Sequence, residues 1–307
     1  MRPVSAMAPI HFTKMHGCGN DFVLIDDRAA RFAGVESRMA VTLCDRRFGV
    51  GADGLILLRR PARAGASLTM VFVNRDGLVG EMCGNGARCL AAFARRCGAD
   101  GDPLVIDTPA GLVTAAFDGD LVRLSMTEPR ILDADVRIEA GGDTLHFMAV
   151  DSGPPHAVAF VDDTGLDAVD VETLGRAVRH HPAFAPRGVN VNFVAVRDGR
   201  LFMRTYERGV EAETLACGTG AVACAAAAHR RGALASPVSV VTRSGAPLTV
   251  AFRYENGHFA DVVLTGPAAF VATGTLDPGF AAGILAPPHA APPHAAMPEP
   301  AEAEGVA

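Results

Sequence analysis

The sequence predicts an α/β protein of the α+β type: two pseudo-symmetric halves, each a mostly antiparallel sheet wrapped around one central helix. Three observations predict it. At 307 residues the chain is about two domains long by the ~150-residue prior. It repeats itself: MCGNGARCLAAFARRCG (Met82–Gly98) and ACGTGAVACAAAAHRRG (Ala216–Gly232) align without a gap. Each copy opens an alanine-rich helix on a Cys-Gly-x-Gly-Ala turn, and small side chains let a surrounding sheet approach closely. Finally, both copies are flanked by alternating or β-branched runs bounded by turn residues.

Taken in order, Met1–Pro9 reads as a short extension, with Met7 an alternative start and no apolar signal-peptide segment. MHGCGND is a glycine-rich turn before the strand run GNDFVLIDDR, which resembles NVNFVAVRDGR in the second half. A helix-like segment, Ser37–Arg47, precedes a strand, Leu55–Leu58. GVGADG between them matches the dinucleotide fingerprint by letter, but the order is the reverse of strand–turn–helix, so that reading is rejected. LTMVFVNRDG leads into the first repeat turn and LFMRTYERG into the second. Arginines and a following glycine close both helices. Strand pairs follow each helix, turning at Asp118–Asp120 and at Glu255–His258.

A boundary is expected at Thr127–Arg130. The N-terminal half is then 1–127, completed by about 268–285 as Pro267–Thr275 returns to it. The C-terminal half is 128–267. From Ala286 to 307 an Ala/Pro-rich tail without an apolar face is expected to be disordered.

Composition excludes several functions. A net charge of −6 without basic tracts argues against nucleic acid, and no apolar stretch is long enough for a membrane span. Seven cysteines, an odd number, fit reduced thiols and a cytoplasmic location better than a disulfide framework. Of 28 basic residues only Lys14 is a lysine, which nearly closes the pyridoxal-phosphate route. The cysteine spacings do not match a zinc site. No cofactor and no metal are expected.

The chemistry rests on Cys83 and Cys217, each immediately before a helix start. Unpaired N–H groups and the partial positive charge there are expected to lower the thiol pKa. The N–H groups of Gly84–Asn85 and Gly218–Thr219 suit an anion. If the halves face each other, one carboxylate sits at both helix starts between two thiols, which suits two-base racemisation or epimerisation. A thiol–disulfide redox protein is the alternative from another class, but Cys-x-x-Cys is absent. Cys18, Cys44, Cys89, Cys97 and Cys224 read as small buried apolar residues, Cys18 the least securely because its turn borders the cleft.

MHGCGNDFVLID, FGVGADGLILL, NRDG, EMCGNGARC, RGVNVNFV and YERGVEAETLACGTGA together resemble the diaminopimelate epimerase family, over about Met15–Ala221 and, through the repeat, to about Gly274. Proline racemases and hydroxyproline epimerases share the two-cysteine plan with different residues around it. The resemblance implies cofactor-independent interconversion of LL- and meso-diaminopimelate, for lysine and peptidoglycan precursors, and the two-domain fold. It implies Cys83 and Cys217 as the acid/base pair, tuned by His156 and Glu207. Asn20, Asn74, Asn190, Glu207 and Arg208 would bind substrate, with the backbone of Gly84, Asn85, Gly218 and Thr219. From the residues alone, Asn74 and Asn190 read equally as turn or strand-edge groups, and Glu207–Arg208 as an ion pair. The chain departs from the pattern at Gly54, where some members carry glutamine, and at Pro154, where many carry asparagine. The expected partner is the small-molecule substrate, and a homodimer is compatible with this reading.

Overall fold

Apolar runs punctuated by glycine turns become strands, and the two alanine-rich segments become the buried helices they enclose. The computed structural model describes residues 8–80, 82–162 and 164–286. The Met7 start and the tail beyond Ala286 lie outside the described residues.

The first stretch is β1 (His11–Gly17), β2 (Asn20–Asp26), α1 (Glu36–Cys44), β3 (Gly54–Arg59), β4 (Leu68–Asn74), α2 (Gly84–Arg96), β5 (Leu104–Thr108), β6 (Gly111–Asp118) and β7 (Leu121–Ser125). The second is β8 (Arg130–Ala140), β9 (Asp143–Asp151), β10 (Pro155–Phe160), α3 (Val171–Arg179), β11 (Asn190–Arg197), β12 (Arg200–Glu207), β13 (Ala212–Thr214), α4 (Gly218–Arg230), β14 (Val238–Val241), β15 (Pro247–Glu255) and β16 (His258–Pro267). β17 (Ala269–Thr275) and α5 (Pro278–Leu285) follow.

The pairings form one hydrogen-bonded path that is symmetric about β7–β16. Outward from β7 run β6, β5, β4, β3, β2, β1 and β17. Outward from β16 run β15, β14, β12, β11, β10, β9 and β8, with β13 added on β12. In both directions the third and fifth steps are parallel and the others antiparallel. The chain's last strand therefore pairs with its first, as β8 pairs with β9. This pattern corrects one sequence reading. The counterpart of β2 (in GNDFVLIDDR) is β10, and that of β11 (in NVNFVAVRDGR) is β3. Every strand buried on both faces reads as a similar apolar run, so letter similarity does not reveal position in the sheet.

Each sheet half curls around its helix. In α4 every residue from Ala221 to Ala228 is buried, as expected of a helix apolar on all sides. α2 buries Ala87, Cys89, Leu90, Ala91, Phe93 and Ala94 against strands of its own half. α1 and α3 pack on the outer faces; Gly175 of α3 lets Tyr206 lie flat, since a Cβ there would stand 2.5 Å from the tyrosine Cβ. Cys18, Cys44, Cys89 and Cys224 are buried as expected. Cys97 is not: it is the half-exposed C-cap of α2, placed where the helix leaves the core. No helix among the described residues is long and apolar enough to cross a membrane.

Candidate active site

The symmetry brings the two repeat turns together. A Cβ built on Gly84 would lie 3.8 Å from the Gly218 Cα, and one on Gly218 3.6 Å from the Gly84 Cα. Two helix N-termini, with their unpaired N–H groups, thus converge on one point. Cys83 and Cys217 are the N-caps, in matching extended conformations (φ −117°, ψ 113° and φ −122°, ψ 116°). Gly86 N–H donates to Cys83 Sγ at 3.5 Å and Gly220 N–H to Cys217 Sγ at 3.4 Å.

Each thiol proton also has an acceptor. Cys83 Sγ stands 3.6 Å from Asn20 Oδ1. That oxygen faces the thiol because Asn20 Nδ2 donates to Asp53 at 2.8 Å, and Asp53 is held by Arg46. Arg46 and Lys14 also grip Asp21, keeping its carboxyl near pKa 2, at the low end of the carboxylate range, against the opposing effect of burial. Cys217 donates to the Glu207 carboxylate, which Thr214 Oγ1 also contacts. Cys217 Sγ lies 3.6 Å from Thr219 Oγ1, which lies 3.1 Å from His156 Nε2. Asn192 Nδ2 donates to His156 Nδ1 at 3.1 Å, because its own Oδ1 is taken by Thr205. That pattern leaves the His156 proton on Nε2.

The electrostatics overturn one expectation. Helix N–H groups do lower both thiols, but desolvation outweighs them. Burial pushes Cys83 up to about 11, with the Glu207 charge adding to it. Cys217 goes well above the ordinary thiol value, through burial first and the adjoining Glu207 second. Burial also raises Glu207 against its hydrogen bonds from Thr214 and Cys217. His156 is held neutral, its pKa lowered to about 3 by burial and then by the Arg208 charge.

The other candidates sort by what their side chains touch. Arg208 makes no ion pair among the described residues, with Glu207 or otherwise, so its fork is available to a carboxylate. Its backbone N–H donates to Asn190 Oδ1 at 2.8 Å, while Asn190 Nδ2 donates to Pro155 O at 3.3 Å. Asn190 thereby holds the Arg208 turn, the strand-edge use its sequence position also allowed. The backbone of Asn74 closes a turn with Gly77 and Leu78. The buried Asn85 amide donates to Asn20 Oδ1 at 3.2 Å and to Ala216 O at 3.0 Å, bridging the halves. Gly54 pairs with Asn74, and a Cβ on it would lie 2.6 Å from the Phe72 ring, which fills that space. Ser152, beside Pro154, donates to Thr219 O at 3.0 Å.

Sequence reasoning missed Asn192, Asp53 and Arg88. Asn192 carried a signal, since it lies two residues from Asn190 and so on the same strand face. Asp53 was hidden in the rejected GVGADG match. Arg88 stands in an alanine-rich helix, where a single arginine carries no local signal of a buried role. No group of three His, Cys, Asp or Glu among the described residues is arranged to hold a metal. Lys14, bound to Asp21 and the Gly51 carbonyl, stands in the support behind Asn20.

Comparison with known proteins adds an independent observation. A family profile described as diaminopimelate epimerase matches residues 12–132 and 148–271. The diaminopimelate epimerase of Aquifex aeolicus (strain VF5) is 40% identical over 278 residues, covering 87% of this chain and 98% of that protein. Among solved structures, a probable proline racemase from Agrobacterium radiobacter K84 superposes with a TM-score of 0.66 at 18% identity, covering 87% and 93% of the two chains. A PhzF-family phenazine biosynthesis protein from Bacillus anthracis reaches a TM-score of 0.67 at 14% identity, covering 88% and 100%. At such identities the structures show a shared fold alone.

Proposed function

The chain belongs to the diaminopimelate epimerase family and is an isomerase of that kind, and we propose that its chemistry is two-base proton transfer between Cys83 and Cys217, without cofactor, interconverting the LL and meso forms. The observation that carries this reading is the meeting of the two cysteine-capped helix starts at Gly84 and Gly218. A substrate carboxylate bound to both termini leaves its α-carbon between the thiols. One thiolate removes the α-proton, and the opposite thiol delivers its own proton to the other face.

The raised thiol values suit this task. An α-proton of an amino acid is very weakly acidic, and a desolvated thiolate is a stronger base than a solvated one. The cost is a small thiolate population, to which the Glu207 charge adds and which the Gly86 and Gly220 N–H groups offset in part. Glu207 and Thr219 with His156 hold the Cys217 side, and Asn20 with Asp53 the Cys83 side. We assign Arg208 to the distal carboxylate, with Asn74 and Asn190 beside the substrate. Helix-end donors to the developing enediolate contribute about 10²–10³ in rate. Closure of the two halves about residues 127–130 and 265–268 supplies orientation and excludes water.

The test is turnover followed by proton NMR, with no cofactor added. Purified protein should epimerise LL-diaminopimelate and incorporate solvent deuterium at the α-carbon. Turnover of proline or hydroxyproline isomers instead of diaminopimelate would refute the assignment.

A further inference from the structure

Arg88 is fully buried on α2, yet among the described residues no carboxylate stands within ion-pair distance of it. Its donors all meet neutral acceptors. Nε donates to Pro267 O at 3.2 Å, Nη1 to Gly84 O at 3.3 Å, and Nη2 to Asn85 Oδ1 at 2.9 Å and Cys18 Sγ at 3.6 Å. A cation buried without an acid is strongly unfavourable, which is why buried charges are usually paired. The position explains the exception. Gly84 adjoins Cys83. Asn85, gripped by Arg88, reaches both Asn20 Oδ1, which faces Cys83, and Ala216 O, next to Cys217.

We propose that Arg88 is a positioning residue whose unpaired charge is the fixed counter-charge for the anion formed at the two helix starts during turnover. This rests on the two-thiol reading above. The charges bearing on Cys83 oppose one another: Glu207, from β12, raises the thiol and Arg88 lowers it. Around the guanidinium stand Cys18 from the β1–β2 turn and Cys89 on its own helix; burial dominates both thiols and raises them, while Arg88 lowers both. Reaction therefore brings the negative charge that the resting protein lacks. Through Asn85 the same side chain sets the orientation of Asn20 and ties the helix starts to each other.

The experiment is kcat/KM against pH for the wild type, Arg88→Met and Arg88→Lys. The low-pH limb reports formation of the thiolate. Arg88→Met should shift that limb upward by about one pH unit or more and lower kcat ~10²-fold. Arg88→Lys, which keeps the charge, should hold the limb near the wild-type position even where the rate falls. A mere brace would lower both rates and move neither limb, and an unmoved limb in Arg88→Met overturns the proposal. Should Arg88→Met fail to fold, the Arg88 ¹³Cζ resonance of wild-type protein decides. It should titrate with Cys83, and that response should vanish in Cys83→Ala; no response in the wild type overturns the proposal. A wild type that does not epimerise diaminopimelate at all would instead refute the activity reading.

Discussion

At the residue scale, the thiols show how burial competes with helix ends. The sequence places both cysteines where N–H groups stabilise a thiolate, but it does not show how deeply the fold sets each thiol, and desolvation decides the sign. Iodoacetamide should therefore alkylate Cys83 slowly at neutral pH, accelerating as pH rises toward about 11; fast alkylation near neutrality would contradict this. Cys83→Ala and Cys217→Ala should each lower turnover by at least ~10⁴-fold with circular dichroism unchanged, while Cys89→Ala should remain active. His156 gives a stability prediction. Its folded pKa, about 3, lies below the ordinary value of 6.5, so between these the unfolded chain binds more protons. The stabilisation is complete above about pH 6.5 and is lost as pH falls toward about 3, at a cost of a few kcal/mol. Denaturant midpoints should fall over that window in the wild type and fall less in His156→Gln.

The two central helices were the most legible elements, because a cysteine-glycine turn, small residues throughout and arginine-glycine stops all agree along α2 and α4. Their glycines separate local propensity from site geometry. Replacing a helical glycine by alanine ordinarily stabilises by about 0.5–1 kcal/mol. A Cβ at Gly220 would stand 2.8 Å from Asn192 Oδ1 and 3.2 Å from Cys217 Sγ. Gly220→Ala should therefore lose about 10-fold or more in kcat/KM. At Gly86 the neighbours are the far ends of Ile56 and Met70, at 2.9 and 3.1 Å, which can yield. Gly86→Ala should keep most activity, and the pair of rates checks the account. Strands were less legible by position: β2 and β11 look alike in letters yet have β10 and β3 as counterparts. The polar residues that orient the site, Asn192, Asp53 and Arg88, act through partners distant in sequence, and no local pattern marks such contacts.

At the scale of the whole molecule, duplication explains why one substrate meets two bases. The symmetric path through β7 and β16 sets α2 and α4 opposite each other, with their starts meeting at Gly84 and Gly218. We infer that the halves behave as two domains, since the chain passes between them near residues 127–130 and 267–268. The central claim is that the proton leaves one face of the carbon to one cysteine and returns to the other face from the second. It is tested most directly by the isotope content of both pools in D₂O, early in the reaction of LL-diaminopimelate. Two-base transfer predicts one α-deuterium in the meso product while the remaining LL substrate stays unlabelled. Deuterium appearing equally in recovered substrate and product, as a single base serving both faces would give, would contradict it.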